Sequence, residues 1–144
     1  MIEPLNAYAI KIPSSISEIC PAAKDAMQHI TREYGISDEC ALFQIKVVIN
    51  ELLINAVLHG NNCKPEKSVM MRILRTDNGF LDITVEDEGN GFNYDCLLER
   101  CIDACDCDVE EAMETGRGML IVRELSEKII FNDKGNKITA IIKM

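Results

Sequence analysis

The sequence predicts an α+β fold: a two-layer sandwich in which helices cover one face of a mostly antiparallel mixed sheet. The helical layer is indicated by apolar residues that recur at three- and four-residue steps between Ile45 and Ala56, the pattern of a helix with one buried face. The sheet is indicated by two pairs of strand-like segments, each joined by a short polar turn that contains glycine, at 77–79 and 133–136. Helices and hairpins of this kind become stable by packing their apolar faces on one another, which gives this fold class.

The elements can be assigned in chain order from their periodicity and their end signals. Loose alternation predicts a first strand at residues 5–12, before Pro13. A helix at 17–34 is closed by Gly35, and a second helix at about 38–59 begins at a cap formed by Ser37 or Asp38. The remaining elements are strands at about 67–76 and 80–87, a long loop at 93–115 that could include one short helix, a helix at about 117–126, and strands near 128–132 and 137–143.

Length and composition predict a single globular domain over residues 1–144. The hydrophobic fraction is 47% and the charged fraction is 27%, which excludes an intrinsically disordered chain. The net charge is −9, so direct binding of nucleic acid is not expected, because phosphate contacts need clustered Lys and Arg. The acidic surface suits either simple solvation or a protein partner with a basic patch.

The N-terminus and the cysteine content favour the cytoplasm. Residues 1–5 lack the basic segment and apolar stretch of a signal peptide, and no apolar run approaches the length of about 18–20 residues that spans a bilayer. The seven cysteines are odd in number, which suits a reducing compartment. Four of them, Cys96, Cys101, Cys105 and Cys107, lack the C-x-x-C pairs of a zinc ribbon. We interpret them as reduced thiols, with zinc binding and redox sensing as alternatives.

Glu51 and Asn55 are four residues apart on the second helix, so their side chains share one helix face. That face is rotated away from the apolar stripe and can point into a pocket. An amide oxygen is a suitable hard ligand for Mg²⁺, which keeps waters and substrate phosphates as its other ligands. A carboxylate one turn away could orient or deprotonate an attacking hydroxyl group. The alternative is an amphipathic helix whose polar residues face water. We interpret His59 as a hydrogen-bonding group at the end of this helix, with a role as a base as the alternative.

Asp87 stands at the end of a strand whose core side is marked by apolar residues at 81, 83 and 85. A carboxylate in that place needs a hydrogen-bond donor, and the exocyclic amine of adenine would be one. Gly89 and Gly91 follow, leaving no Cβ near such a base and permitting unusual backbone angles. The alternative is a strand-to-loop turn in which the acid caps the next backbone segment.

A third segment, Gly116-Arg117-Gly118-Met119, precedes an apolar run and opens the last predicted helix. A helix start presents free N–H groups and a positive dipole end, which suits phosphate oxygens. The glycines would let the backbone approach a phosphate closely, and Arg117 would add a cation. A Gly-x-Gly pattern alone is weak, so its weight comes from its place after the long loop and before a helix.

The three segments, in this order and spacing, resemble the N, G1 and G2 boxes of the GHKL ATPase/kinase superfamily, which includes gyrase B, histidine kinases and MutL. The order helix–helix–hairpin–lid–helix–hairpin in a short chain is most similar to the RsbW/SpoIIAB-type anti-sigma-factor serine kinases, over about residues 5–143. The resemblance implies the Bergerat ATP-binding fold, with the segment at 93–115 as its ATP lid. The absence of the P-loop pattern agrees with that fold.

The resemblance also implies a role for each matching residue. Glu51 would be the catalytic base, Asn55 the ligand of Mg²⁺ and Asp87 the acid that binds adenine. The further ATP-binding residues that it implies are Gly89, Gly91, Phe92, Gly116, Arg117, Gly118, Met119 and, on a late strand, Thr139. Proteins of this type bind and silence a sigma factor, use Mg-ATP to phosphorylate a serine on a STAS-domain anti-anti-sigma factor, and usually form homodimers.

Two features depart from that family pattern and motivate an alternative function. The late segment 135–139 lacks a Gly-Thr pair, and the predicted lid carries many acidic residues. The alternative is a nucleotide-binding module that sequesters its partner without kinase activity. A catalytic fragment of a histidine kinase is disfavoured, because His29 lies within the first predicted helix instead of on a separate phosphoacceptor helix.

Overall fold

A computed structural model of the protein describes residues 7–76, 78–89 and 117–144. Its elements, in chain order, are β1 (Tyr8–Pro13), a 3₁₀ turn (Ile16–Glu18), α1 (Ile19–Tyr34), α2 (Glu39–Ile54), a π-helical turn (Asn55–Gly60), β2 (Ser68–Arg75), β3 (Phe80–Glu86), α3 (Arg117–Leu125), β4 (Lys128–Phe131) and β5 (Lys137–Lys143). These bounds confirm the helices and strands predicted for this part of the chain. The predicted loop at 93–115 lies outside the described residues.

The strands form one sheet in the order β1-β2-β3-β5-β4, and the four pairs of neighbouring strands are antiparallel. Both predicted hairpins are present, since β2 pairs with β3 and β4 pairs with β5. Gly79 has φ +82° and Gly135 has φ +80°, backbone angles that glycine adopts without strain in such turns. The predicted α+β two-layer sandwich is therefore confirmed.

The hydrophobic core lies between the sheet and the helices, with α2 at its centre. This helix contacts α1, α3, β3 and β5. Its apolar stripe is fully buried, and the residues with no exposed surface are Ile45, Val48, Ile49, Leu52 and Leu53. Each such side chain contributes about 1.5–3 kcal/mol by leaving water. Because its apolar face is buried in the core, α2 is held in place relative to the sheet. The polar residues of the candidate site on this helix lie away from the centre of that apolar face.

The ends of the first two helices have local sequence causes. The α1 helix ends at Gly35, whose φ of +65° lies in the left-handed region that glycine tolerates. The α2 helix begins at Asp38, whose carboxylate accepts a hydrogen bond of 2.9 Å from the N–H of Ala41. The cap is therefore Asp38, one of the two residues that the sequence offered.

One helical stretch among the described residues, Glu39–Gly60, is long and apolar enough to cross a membrane by length and composition alone. The expectation that no apolar stretch is long enough to span a bilayer was wrong, because this stretch has a high mean hydropathy although it contains the charged residues Lys46 and Glu51. The stretch is the central core helix of the sandwich, and burial against α1, α3 and the sheet accounts for its apolar character.

Candidate functional site

Glu51 and Asn55 lie where the regular helix α2 passes into a π-helical turn. The N–H of Asn55 reaches the carbonyl oxygens of both Glu51 and Leu52, and the N–H of Asn61 reaches that of Ala56, five residues back, at 2.9 Å. Such local widening of a helix is frequent at functional sites, because it redirects side chains. Asn55 is buried, with 5% of its surface exposed, and Glu51 is half-buried.

Glu51 lies directly against the first turn of α3. A Cβ built on Gly118 would overlap the Glu51 carboxylate, with its Cδ 3.1 Å away and its Cγ 3.7 Å away. Only glycine at this position leaves room for the carboxylate in its observed place. Burial raises the pKa of Glu51 above its ordinary value, which makes the carboxylate a stronger base than one in water. The structure thus brings together the predicted base and a glycine of the third sequence motif.

Asp87 continues the core-facing side of β3 and is 4% exposed. Its Oδ1 accepts a hydrogen bond of 2.8 Å from the N–H of Gly89. A Cβ on Gly60 would come within 2.7 Å of Oδ1, and one on Gly89 would come within 2.9 Å of the same atom. Burial raises the pKa of Asp87, and the hydrogen bond from Gly89 partly offsets this. The carboxylate can accept further hydrogen bonds, so an amine of a ligand could be a second donor beside Gly89.

The π-helical turn connects the surroundings of the two carboxylates. The turn starts at Asn55, one helical turn after Glu51, and ends at Gly60, which touches the Asp87 carboxylate. We therefore assign Glu51, Asn55 and Asp87 to one candidate site, at the junction of α2 and the π-helical turn with α3 and the end of β3. The arrangement can place a hydrogen-bond acceptor at one end of a ligand and a basic carboxylate at the other.

The remaining predicted site residues have different places. Met119 is 1% exposed and belongs to the hydrophobic core. Gly91, Phe92, Gly116 and the side chain of Arg117 lie outside the described residues, as does the predicted lid. Their assigned contacts with ATP stay predictions.

Thr139 is not brought to the other site residues. It pairs with Thr84 across β3 and β5, and the two hydroxyl oxygens are 2.9 Å apart. Its strand neighbours Ile138 and Ala140 are buried in the core, so Thr139 points to the opposite face of the sheet from the helices. The alternation of apolar residues at 138, 140 and 142 contained this information.

Two asparagines next to Asp87 were missed by the sequence reasoning. The Asn136 side chain donates a hydrogen bond of 2.9 Å to the backbone oxygen of Asp87. The Asn61 side chain accepts one of 2.9 Å from the N–H of Glu88. The one sequence signal for Asn61 was its position directly after the glycine that ends the helix. The contact of Asn136 with Asp87 could be found only from the register of the strands.

Among the described residues, the donor set fits Mg²⁺ bound together with substrate phosphates. The described residues contain no group of three or more His, Cys, Asp or Glu side chains placed to hold a metal ion. The oxygen of Asn55 would be a single protein ligand, which matches the way Mg²⁺ binds through one or two protein groups, waters and substrate phosphates. The described cysteines Cys20, Cys40 and Cys63 are free thiols. The four cysteines at 96–107 lie outside the described residues.

An apolar groove between α1 and α2 lies away from this site. Its lining includes Met27, Leu42 and Phe43, and none of the predicted site residues. Among the described residues, Glu51 and Asp87 lie instead against Gly118 at the start of α3 and against Gly60 at the end of the π-helical turn.

Known proteins resemble this chain in sequence and in fold. Residues 13–142 match the model of the histidine kinase-like ATPase domain. The chain is 29% identical over 100 residues to the anti-sigma F factor of Geobacillus stearothermophilus, a match that covers 69% of this chain and 66% of that protein. It is 28% identical over 101 residues to the anti-sigma F factor of Clostridium perfringens (strain SM101 / Type A), covering 70% and 69%.

The chain thus spans about two thirds of the length of the relatives that it matches. Among solved structures, the SiaB–SiaC complex from Pseudomonas aeruginosa contains a similar chain, with a TM-score of 0.64 and 14% identity over 94% of this chain and 88% of that one. At that identity the likeness is one of fold.

Proposed function

The chain belongs to the histidine kinase-like ATPase domain family, and from that membership we propose that it is an ATP-dependent protein-serine kinase that also acts as an anti-sigma factor. In this proposal it sequesters a sigma factor and phosphorylates a serine on a STAS-domain anti-anti-sigma factor, which switches partners. The sequence similarity to two anti-sigma F factors supports the anti-sigma part. The observation that most supports the kinase part is the Glu51 carboxylate held against Gly118 at the start of α3, one helical turn from Asn55.

ATP would lie along the edge of α2, with its adenine at Asp87 and its phosphates toward the start of α3. The Asp87 carboxylate accepts hydrogen bonds, as the exocyclic amine of adenine requires, and Gly60 and Gly89 leave space beside it. The first turn of α3 offers backbone N–H groups to phosphate oxygens, and Gly118 adds no Cβ there. When bound with ATP, Mg²⁺ would neutralise phosphate charge, and Asn55 would be its protein ligand.

Glu51 would take the proton of the acceptor serine hydroxyl. The serine oxygen would then form a bond to the terminal phosphorus of ATP, while the bond to the bridging oxygen breaks and ADP leaves. Burial raises the pKa of Glu51, so the carboxylate binds that proton more strongly than it would in water. Most of the rate in this class of reaction comes from positioning and charge stabilisation, so the position of Glu51 against α3 would matter as much as its basicity.

The location and assembly belong to the same proposal. We expect the protein in the cytoplasm, where its sigma factor acts. We expect a homodimer, and β1 is an edge strand of the sheet among the described strands, which leaves one side of it for pairing across such a dimer.

The test is mass spectrometry of a candidate STAS-domain protein after incubation with this protein and Mg-ATP. Wild type is compared with Glu51→Gln and with a matched control, Glu124→Gln, which changes an exposed glutamate on α3. We expect one phosphoserine with wild type and with the control, and none with Glu51→Gln. Calorimetry should show that Glu51→Gln still binds ATP.

Two results would change this assignment. A stable complex without phosphate in any sample would favour the sequestering module, in which Glu51 has no chemical role. Phosphate transfer by Glu51→Gln at the wild-type rate would remove Glu51 as the base and leave the kinase activity standing.

A further inference from the structure

The end of β3 is fixed by side chains that the proposed chemistry does not use. Glu86 pairs with Lys137, so the next residue, Asp87, stands opposite Asn136. The N–H of Asp87 donates to the backbone oxygen of Asn136 at 2.9 Å, and the Asn136 side-chain Nδ2 donates to the backbone oxygen of Asp87 at 2.9 Å. Both peptide groups that flank the Cα of Asp87 are therefore held by Asn136.

The orientation of the Asn136 amide is dictated by Asn132. The Oδ1 atom of Asn132 accepts hydrogen bonds from the N–H groups of Gly135, Asn136 and Lys137, at 2.7, 3.0 and 3.2 Å. Its Nδ2 must then point the other way, and it donates to Oδ1 of Asn136 at 2.7 Å. This leaves Nδ2 of Asn136 turned toward Asp87. Each amide has one orientation that satisfies its neighbours, so the chain of bonds runs in one direction from the turn to Asp87.

The other side of the same segment is held by Asn61, which has no exposed surface. Its Oδ1 accepts from the N–H of Glu88 at 2.9 Å, and its Nδ2 donates to the backbone oxygen of Ser68 at 2.9 Å. The Glu88 carboxylate accepts a hydrogen bond from the N–H of Ser68. The backbone around Asp87 is thus tied both to the β4–β5 turn and to the end of the π-helical turn.

The Asp87 carboxylate has little freedom to compensate for a shift of its backbone. Gly60 and Gly89 lie so close that a single methyl group on either would overlap it. The direction in which its oxygens face a ligand is therefore set by the peptide groups on each side of it, and these are the groups that Asn136 binds.

We propose that Asn136, oriented by Asn132, is a positioning residue that aims the Asp87 carboxylate and so makes the site select a 6-aminopurine over a 6-oxopurine. The proposal rests on the nucleotide binding proposed above. A carboxylate that is ionised can only accept hydrogen bonds, so it pairs with a 6-amino group and repels a 6-oxo group. A site that pairs with one polar group of its ligand strongly rejects analogues without that group, provided that the buried protein group is correctly oriented.

The experiment measures the affinities of ATP and of inosine triphosphate, each with Mg²⁺, by calorimetry. The two nucleotides share their ribose and phosphates and differ at the position that Asp87 would read. The proteins are wild type, Asn136→Ala, Asn132→Asp and the control Asn78→Ala, which changes an exposed asparagine in the β2–β3 turn. Asn132→Asp keeps the oxygen that the turn N–H groups need and loses the donor to Asn136, so the turn keeps its fold.

We expect wild type to prefer ATP by about tenfold or more. Asn136→Ala and Asn132→Asp should each reduce this preference by about fivefold. ATP should bind more weakly, whereas the affinity for inosine triphosphate should change little. The control should keep the wild-type ratio. If the two asparagines only support folding, the substitutions would weaken the binding of both nucleotides equally and would leave the ratio of the two affinities unchanged.

An unchanged ratio in both folded variants would overturn the positioning role and leave the nucleotide site standing, because wild type would still discriminate. If Asn136→Ala does not fold, Asn132→Asp decides the question by the same ratio. If wild type binds neither nucleotide, the proposed function fails and this role fails with it.

Discussion

Replacing Gly118 by alanine tests the contact between α3 and Glu51. In an ordinary helix this change raises the free energy of unfolding by up to about 1 kcal/mol, because alanine favours the helix and restricts the unfolded chain. Here the new methyl group would overlap the Glu51 carboxylate, with Cδ at 3.1 Å. Overpacking costs about 1–3 kcal/mol where the neighbours are fixed, but the Glu51 side chain can rotate away. We expect the two effects nearly to cancel, within about 1 kcal/mol of wild type.

The effect of Gly118→Ala on phosphoryl transfer should be much larger than its effect on stability. A rotated Glu51 carboxylate no longer lies where the acceptor hydroxyl must give up its proton. A misplacement of about 1 Å costs about 100-fold in rate, so single-turnover formation of phosphoserine should fall by about that factor. Urea unfolding, followed by circular dichroism, measures the stability of the same samples.

A double-mutant cycle supplies the control. In a Glu51→Ala background the overlap is gone, so Gly118→Ala should stabilise the protein by up to about 1 kcal/mol. If Gly118→Ala stabilises wild type just as much and leaves transfer at its full rate, Glu51 and Gly118 are not in contact and the reasoning is refuted.

Three further substitutions probe the buried carboxylates and the helix cap. Glu51→Gln should stabilise the nucleotide-free protein at pH 7, and this gain in stability should shrink as the pH falls through the raised pKa of Glu51 toward its ordinary value of 4.5, where the native carboxyl is protonated. Urea unfolding at both ends of that pH range measures the gain. A gain that does not depend on pH would contradict the prediction. Gly60→Ala should lower the free energy of unfolding by about 1–3 kcal/mol, because the strand fixes the Asp87 carboxylate, whose Oδ1 would lie 2.7 Å from the new Cβ; a thermal midpoint equal to that of wild type would show that the site has room. Asp38→Ala removes the bond to the N–H of Ala41 and should cost about 1 kcal/mol in thermal unfolding, while ATP affinity measured by calorimetry stays unchanged.

The elements whose apolar residues repeat with the period of a helix, or whose turns require glycine, could be predicted from the sequence. The stripe from Ile45 to Leu53 predicted α2 because a helix repeats its buried face every three or four residues. The turn glycines Gly79 and Gly135 predicted both hairpins because few other residues tolerate their backbone angles. Thr139 was assigned by its place in a family motif, although the alternation of its strand neighbours puts it on the other face of the sheet.

The contacts that define the site had no such period. Gly118 touches Glu51, and Asn136 binds Asp87, only because the sheet register and the packing of α3 bring distant segments together. The π-helical turn at Asn55 likewise depends on the packing of α2, since a sequence pattern does not separate it from a regular helix. The sequence motifs therefore named the proposed site residues, whereas the contacts around those residues could be found only from the structure.

The two carboxylates are better explained by function than by stability. Burial raises the pKa of both Glu51 and Asp87, which means that the native state disfavours their ionised forms. At neutral pH each ionised group therefore lowers the free energy of unfolding relative to a neutral residue of the same shape. Gly60, Gly89 and Gly118 leave room around these acids, because a Cβ at any of the three positions would overlap a neighbouring atom. The proposed nucleotide site would account for such costs in three separate segments, and the stabilising effect expected of Glu51→Gln would measure the cost of Glu51 directly.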